Sequence, residues 1–197
     1  MTYLSIWNQL ITWDRTLFEK INSDWTNPFF DNLMPFLRNS THWAPLYLFL
    51  GIFALMNFKT KGIWWLVLFA VTIAMTDMTG TYILKHNIER IRPCNDPLMA
   101  DSVRLLLPQC AGGYSFISNH AANHFGMGIF FLVTMKGILK KWAWVGVIWA
   151  VLIAYSQVYV GVHYPGDVLA GALLGVIFGL VTGTIFNKRF GFAIFVH

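Results

Sequence analysis

Hydrophobic positions fall into five long runs, roughly residues 43–58, 62–84, 120–139, 142–161 and 165–186. Several of them reach the ~20 residues that an α-helix needs to cross a bilayer core. The first 42 residues follow another pattern. Ile6, Leu10, Trp13, Leu17 and Ile21 recur at spacings of three and four, which predicts an amphipathic helix. Asp14, Arg15, Glu19 and Lys20 interrupt it, so it is expected to lie in the membrane interface rather than cross it. The same charges, and the lack of a basic leader before them, argue against a cleaved signal peptide. Pro28 is suited to open a second short helix over 28–38, carrying Phe29, Phe30, Leu33, Met34 and Leu37. A polar stretch of about 30 residues, 86–117, separates the second and third runs; loops of that length are often functional. The expectation is an all-α polytopic membrane helix bundle: five spans in a segment 43–197, preceded by amphipathic helices in a segment 1–42.

Composition strengthens this reading. Hydrophobic residues make up 56% of the 197 and charged residues 12%, too apolar for a soluble domain of this size. Nine Trp and seven Tyr suit two interfacial belts, with Trp64–Trp65 and Trp142–Trp144 as expected anchors. The net charge of +5 does not point to nucleic acid, because the basic residues sit in small groups between apolar runs. Three of these groups set the orientation: Lys59 with Lys61, Lys136 with Lys140 and Lys141, and Lys188 with Arg189. All three fall at one end of the bundle, and the positive-inside rule makes that end cytoplasmic. Lys85, Arg90, Arg92 and Arg104 then lie at the opposite, disfavoured face. Either they hold an anion there or they pair with Glu89, Asp96 or Asp101. Cys94 and Cys110 share that loop and are placed to form a disulfide in an oxidising compartment.

Three constellations gather at the same face. Lys85 and Arg92 flank the end of the second run, before Pro93; a point charge and a forked guanidinium together suit a phosphoryl group. Ser118, Asn119 and His120 open the third run, with Ser118 a fitting N-cap and the free N–H groups of a helix start suited to phosphate. Ser156, Gln157, His163 and Asp167 straddle the fourth and fifth runs. Pro165 suits the first helical position, which puts Asp167 in the first turn, where its carboxylate is placed to orient His163 and free the other ring nitrogen for attack.

These motifs resemble those of the type 2 phosphatidic acid phosphatase family, membrane lipid phosphatases related to vanadium haloperoxidases. The family signatures Lys-x6-Arg-Pro, Pro-Ser-x-His and Ser-Arg-x5-His-x3-Asp correspond in order to KHNIERIRP, ISNH and SQVYVGVHYPGD here, across roughly residues 60–186. The resemblance implies a six-helix bundle and a phosphohistidine mechanism: His163 attacks phosphorus, Asp167 orients it and His120 protonates the leaving oxygen. Lys85, Arg92, Ser118 and the backbone near Asn119 would then bind the phosphoryl oxygens. It implies neither cofactor nor metal. The substrate would be a lipid phosphate or pyrophosphate, such as polyprenyl pyrophosphate, phosphatidic acid, phosphatidylglycerol phosphate or phosphorylated lipid A, met at the extracytoplasmic face of a bacterial inner membrane. The Trp-rich N-terminal helices are candidates for a tail groove.

Two positions depart from the family. Ile117 stands where the family has Pro, and Gln157 where it has a phosphate-binding Arg. Losing a charge-assisted contact costs roughly 1.5–3 kcal/mol; Arg90, Arg104 and His124 are candidates to compensate. Gln157 also favours the main alternative, a non-catalytic lipid-phosphate binder or transporter, although such a protein has no need of both a nucleophile and an acid. A third reading, a metal site on His120 and His124 at i,i+4, lacks an HExxH pattern. Asp77, two turns below Lys85, is expected to face polar partners inside the bundle.

Overall fold

The computed structural model describes residues 3–192; the extreme ends of the two predicted segments lie outside the described residues. Eight α-helices are present among them: α1 Tyr3–Glu19, α2 Pro28–Arg38, α3 Ala44–Phe58, α4 Thr60–Met78, the single turn α5 His86–Ile88, α6 Asn119–Leu139, α7 Val145–Tyr159 and α8 Pro165–Arg189. All five predicted runs are helical. Lys59 and Lys140, both at positive φ, turn the chain after α3 and α6. The second turn is itself a 3₁₀ stretch, Lys140–Trp144, so Asn119–Tyr159 is one unbroken helical run. Four continuous stretches are therefore long and apolar enough to cross a membrane, although α6 and α7 pack on one another as separate rods.

Local chemistry sets the helix starts. Asn27 caps α2 by accepting the Phe30 N–H at 3.0 Å, with Pro28 following. Ser118 caps α6, and Asp167 reaches back to accept the Tyr164 N–H at 2.9 Å at the head of α8. The end of α4 is wound differently. Thr79–Lys85 forms a π-helical stretch, a device that often occurs at functional sites, and it carries Lys85 to the site.

The backbone of the bundle is the contact between α6 and α8. Gly171, Gly175 and Gly179 recur every fourth residue on α8, and a Cβ at each would stand 2.4, 2.3 and 2.7 Å from the Ser118, Ala122 and Gly126 carbonyls. Small residues at this spacing let membrane helices approach closely. Leu169, Leu173 and Ile177 of the same helix are exposed and present an apolar outer surface suited to lipid.

Two apolar clusters cap this contact. At the end that carries Lys59, Lys140 and Lys188, Ala54, Trp65, Phe130, Met135, Phe186 and Phe192 pack together. Trp65 departs from its expected role: it is fully buried and donates its indole N–H to Thr134 at 2.8 Å. Trp64, Trp142 and Trp144 do remain exposed. At the other end, Phe18, Ile21, Met34 and Leu37 of the N-terminal segment meet Tyr159, Val162 and Tyr164.

The helix α1 shows which face the amphipathic pattern serves. Ile6, Leu10, Trp13 and Leu17 point outward, while Asp14, Arg15 and Phe18 face the protein. The apolar stripe thus meets the surroundings and the charged face makes the internal ion pairs. Asn22, buried just beyond, donates to the Tyr159 and Arg104 carbonyls at 2.7 and 2.8 Å and so fastens this segment to the bundle.

Candidate active site

The turn between α7 and α8 holds His163 in the protein interior. Its Nε2 lies 3.0 Å from Nη1 of Arg92, which also donates to the Val162 carbonyl at 3.0 Å. A guanidinium can only donate, so Nε2 is the accepting nitrogen and the ring proton belongs on Nδ1. Nδ1 faces the Ser115 hydroxyl at 3.4 Å and Asp167 Oδ2 at 3.7 Å. Burial pushes the His163 pKa down to about 4, against the opposing pull of Asp167. The imidazole is therefore neutral near pH 7, with its nucleophilic lone pair turned toward Arg92.

Asp167 is fully buried and fully engaged. Oδ2 accepts from Ser115 at 2.5 Å and from the Tyr164 N–H, and Oδ1 accepts from Arg90 at 2.7 Å. Arg90 continues to Asp14 of α1 at 2.6 Å and stacks 4.0 Å over the Tyr164 ring. Asp14 in turn accepts the Gly166 N–H at 2.7 Å. The His163–Asp167 pair thus sits in a network that reaches back to the N-terminal helix. Ser115 and Asp14 were not among the residues singled out from sequence. Ser115 carries no motif, and Asp14 read as one charge of an interfacial helix.

The cations sort into two sets. Arg90 pairs with Asp14 and Asp167, Arg104 with Asp31 at 2.8 Å, and Arg15 with Asp96 at 2.9 Å. Two of the four outer cations are thereby neutralised, by carboxylates other than the Glu89, Asp96 and Asp101 considered above. Lys85, Arg92 and Arg38 have no carboxylate partner among the described residues. Lys85 donates to the Tyr114 carbonyl at 3.2 Å, and Arg92 to the Gly112 and Gly113 carbonyls at 3.1 Å. Cys94 and Cys110 are joined by a disulfide, with Cα atoms 5.8 Å apart; the second cysteine lies two residues before that carbonyl pair.

The α6 start is split between two tasks. The Ser118 N–H donates to the Asp167 carbonyl at 3.0 Å, which locks the heads of α6 and α8 together. The Asn119 side chain turns away to Asp77 and Thr81 at 2.9 and 2.6 Å, and Asn123 also reaches Asp77. The Asn119 amide is thus occupied in the bundle, and only its backbone faces the helix start. Asp77 has the amide partners expected of it. His120 lines a cavity of about 640 Å³ together with Arg38, Asn39 and His42. His124 lies one turn further in, its Nδ1 2.7 Å from the His120 carbonyl and its ring edge-on to Trp149. Among the described residues no group of three or more His, Cys, Asp or Glu converges as a metal set. A second hollow, an apolar groove of about 720 Å³, runs along Trp7, Leu10 and Ile11 of α1, opposite Ile88, Ile91 and Leu98.

A helical bundle with membrane-length rods, carrying a buried neutral histidine beside a carboxylate, defines a class of membrane protein with cations lacking carboxylate partners gathered at one end. The chain belongs to the PAP2 superfamily, whose pattern matches residues 63–190. It is 34% identical over 152 residues to a lipid A 4'-phosphatase of Bacteroides thetaiotaomicron, covering 76% of this chain and 66% of that protein. It is 35% identical over 134 residues to an undecaprenyl-diphosphatase of Sulfolobus acidocaldarius, covering 68% of this chain and 58% of that protein. The chain thus spans somewhat less than two thirds of the length of these relatives. The crystal structure of a transmembrane PAP2-type phosphatidylglycerolphosphate phosphatase from Bacillus subtilis superimposes with a TM-score of 0.67 at 25% identity, over 92% of this chain and 88% of that one.

Proposed function

We propose that this protein is a membrane lipid phosphatase that cleaves the phosphate ester or pyrophosphate of a lipid through a phosphohistidine on His163. The observation that carries the reading is the neutral His163 with its Nε2 lone pair against Arg92, inside a site where Lys85 and Arg92 lack carboxylate partners. An entering phosphoryl group meets both the lone pair and the cations. Arg92 exchanges its contact with Nε2 for a phosphoryl oxygen, and Nε2 attacks phosphorus as the P–O bond to the leaving group breaks. His120 gives its proton to the leaving oxygen. Water, losing a proton to His120, then attacks phosphorus, the P–N bond breaks, and phosphate leaves with His163 restored. Asp167 stabilises the imidazolium character that develops on attack.

The named relatives act on lipid A, undecaprenyl diphosphate and phosphatidylglycerol phosphate, which supports a substrate of that class. The apolar groove beside α1 is suited to the lipid tail. Two features support an extracytoplasmic site: Lys59, Lys140, Lys188 and Arg189 lie in turns or helix ends at the other end of the rods, and the disulfide lies on the site's own side.

The test is phosphate release by purified protein in detergent with EDTA present, on phosphorylated lipid A, undecaprenyl diphosphate and phosphatidylglycerol phosphate. Release by wild type that disappears in His163→Ala is the expected outcome. Saturable lipid-phosphate binding without release from any of the three would replace the enzyme by a binding protein.

A further inference from the structure

We propose that Arg38, presented from the last turn of α2, is a further phosphate-binding residue of this site, held in position by Gln157. The proposal rests on the phosphatase reading above. Gln157 is fully buried, and its amide is orientated by its surroundings. Nε2 donates to the Ile153 carbonyl and the Ser156 hydroxyl, each at 3.2 Å. That leaves Oε1 as the outward end, and it accepts from Arg38 Nε at 3.1 Å across 119 residues of sequence.

The polarity of this contact decides the argument. An arginine at 157 has no acceptor and would repel Arg38; a glutamine offers an acceptor without a charge. Only Nε of Arg38 is used, so its two terminal nitrogens have no protein partner among the described residues. Those nitrogens form the fork that grips phosphate in two places. Two other candidates to compensate for Gln157 are engaged, Arg90 with Asp14 and Asp167 and Arg104 with Asp31. Neutral His124 donates its one ring proton, on Nδ1, to the His120 carbonyl, which leaves Nε2 no proton to offer a phosphate.

Position agrees with the chemistry. Arg38 and His120 line the same cavity, and the Arg38 charge acts on both His120 and Arg92. A cation ending a helix is favourable for the helix dipole in any protein. That bland role predicts an arginine in water, whereas Arg38 is half-buried and bonded to a buried amide. The positive charge that the family motif supplies from the α7 end comes here from the N-terminal segment, with Gln157 as the positioning residue.

The experiment compares wild type, Arg38→Met, Arg38→Lys, Gln157→Arg and the double variant Arg38→Met/Gln157→Arg. Two quantities are read: kcat/KM for the best lipid phosphate, and the thermal shift given by inorganic phosphate, which needs no turnover. Arg38→Met is expected to lower kcat/KM about tenfold to hundredfold and to weaken phosphate stabilisation, with Arg38→Lys between it and wild type. Gln157→Arg alone is expected to lower activity, because two guanidinium groups then compete for one place. The double variant is expected to recover activity over either single one, which a purely structural role for Arg38 would not produce. Should Arg38→Met fail to fold, Arg38→Lys and the double variant carry the comparison. Wild-type kcat/KM and phosphate shift in Arg38→Met, with His163→Ala inactive, overturn the Arg38 proposal and leave the phosphatase reading intact. An inactive wild type whose phosphate shift is lost in Arg38→Met overturns the phosphatase reading and keeps the anion site.

Discussion

Replacing Arg90 by Met tests how the His163–Asp167 pair is held. Methionine keeps most of the apolar stem and removes the charge. Asp167 loses the sole partner of Oδ1 among the described residues while Oδ2 keeps Ser115 and the Tyr164 N–H. One charge-assisted bond to a fully buried carboxylate is worth about 1.5–3 kcal/mol. Asp14 also loses its partner, but it retains the Gly166 N–H and is partly exposed, so that contact adds about 0.5–1 kcal/mol. The stacking on Tyr164 adds a similar amount. The sum, about 2.5–5 kcal/mol, overlaps the cost of leaving a buried charge uncompensated. For a chain of this size it corresponds to roughly 5–20 °C in Tm, read by thermal unfolding in detergent. The decisive comparison is the double-mutant cycle with Asp167→Asn. A neutral amide needs no cation, so Arg90→Met is expected to cost at least about 1.5 kcal/mol less in that background. Additive losses, or an Arg90→Met variant melting with wild type, would refute the network.

Two further outcomes follow from the geometry. Gly175→Ala puts a Cβ 2.3 Å from the Ala122 carbonyl and 2.7 Å from the Gly126 nitrogen, where backbone must move; it is expected to cost about 1–3 kcal/mol and to lower activity by parting Ser118 from Asp167, while exposed Leu173→Ala stays near wild type in both assays. The His163 pKa of about 4 lies below its ordinary value of 6.5, so the folded state binds fewer protons, and the neutral ring's contribution is complete above about pH 6.5 and lost as pH falls toward 4; wild type is therefore expected to lose more Tm than His163→Gln between pH 7 and 4.5, and parallel curves would contradict that.

The sequence revealed the rods and the order of the motifs because both are periodic or local. Apolar length gives α3, α4, α6, α7 and α8, and the Pro165–Asp167 spacing gives the head of α8. Less was visible where a residue's partner is remote. Asp14 reads as an ordinary charge of an N-terminal segment and Arg38 carries no motif, since nothing within ten residues of either shows that Arg90 or Gln157 will meet it. Ser115 sits in a loop without periodicity. Trp65 was misjudged because a tryptophan beside another looks like an interface anchor; only the Thr134 hydroxyl on a neighbouring helix makes it a core residue. Asn119 enters the sequence reading only through its backbone at the helix start; that its side chain turns to Asp77 depends on a residue of another helix and is not legible there.

The reach of α1 and α2 into the site has a consequence for biogenesis. Asp14 meets Arg90 76 residues later and Gly166 152 residues later, and Arg38 waits for Gln157, 119 residues on. Chains are synthesised from the N-terminus, so these early groups emerge long before their partners. His163, on the α7–α8 turn, arrives last, when Asp14, Arg38 and Arg90 have already been made. The network around His163 and Asp167 is therefore complete only when the last helices close the bundle, and a partly inserted chain holds its early charges without their partners.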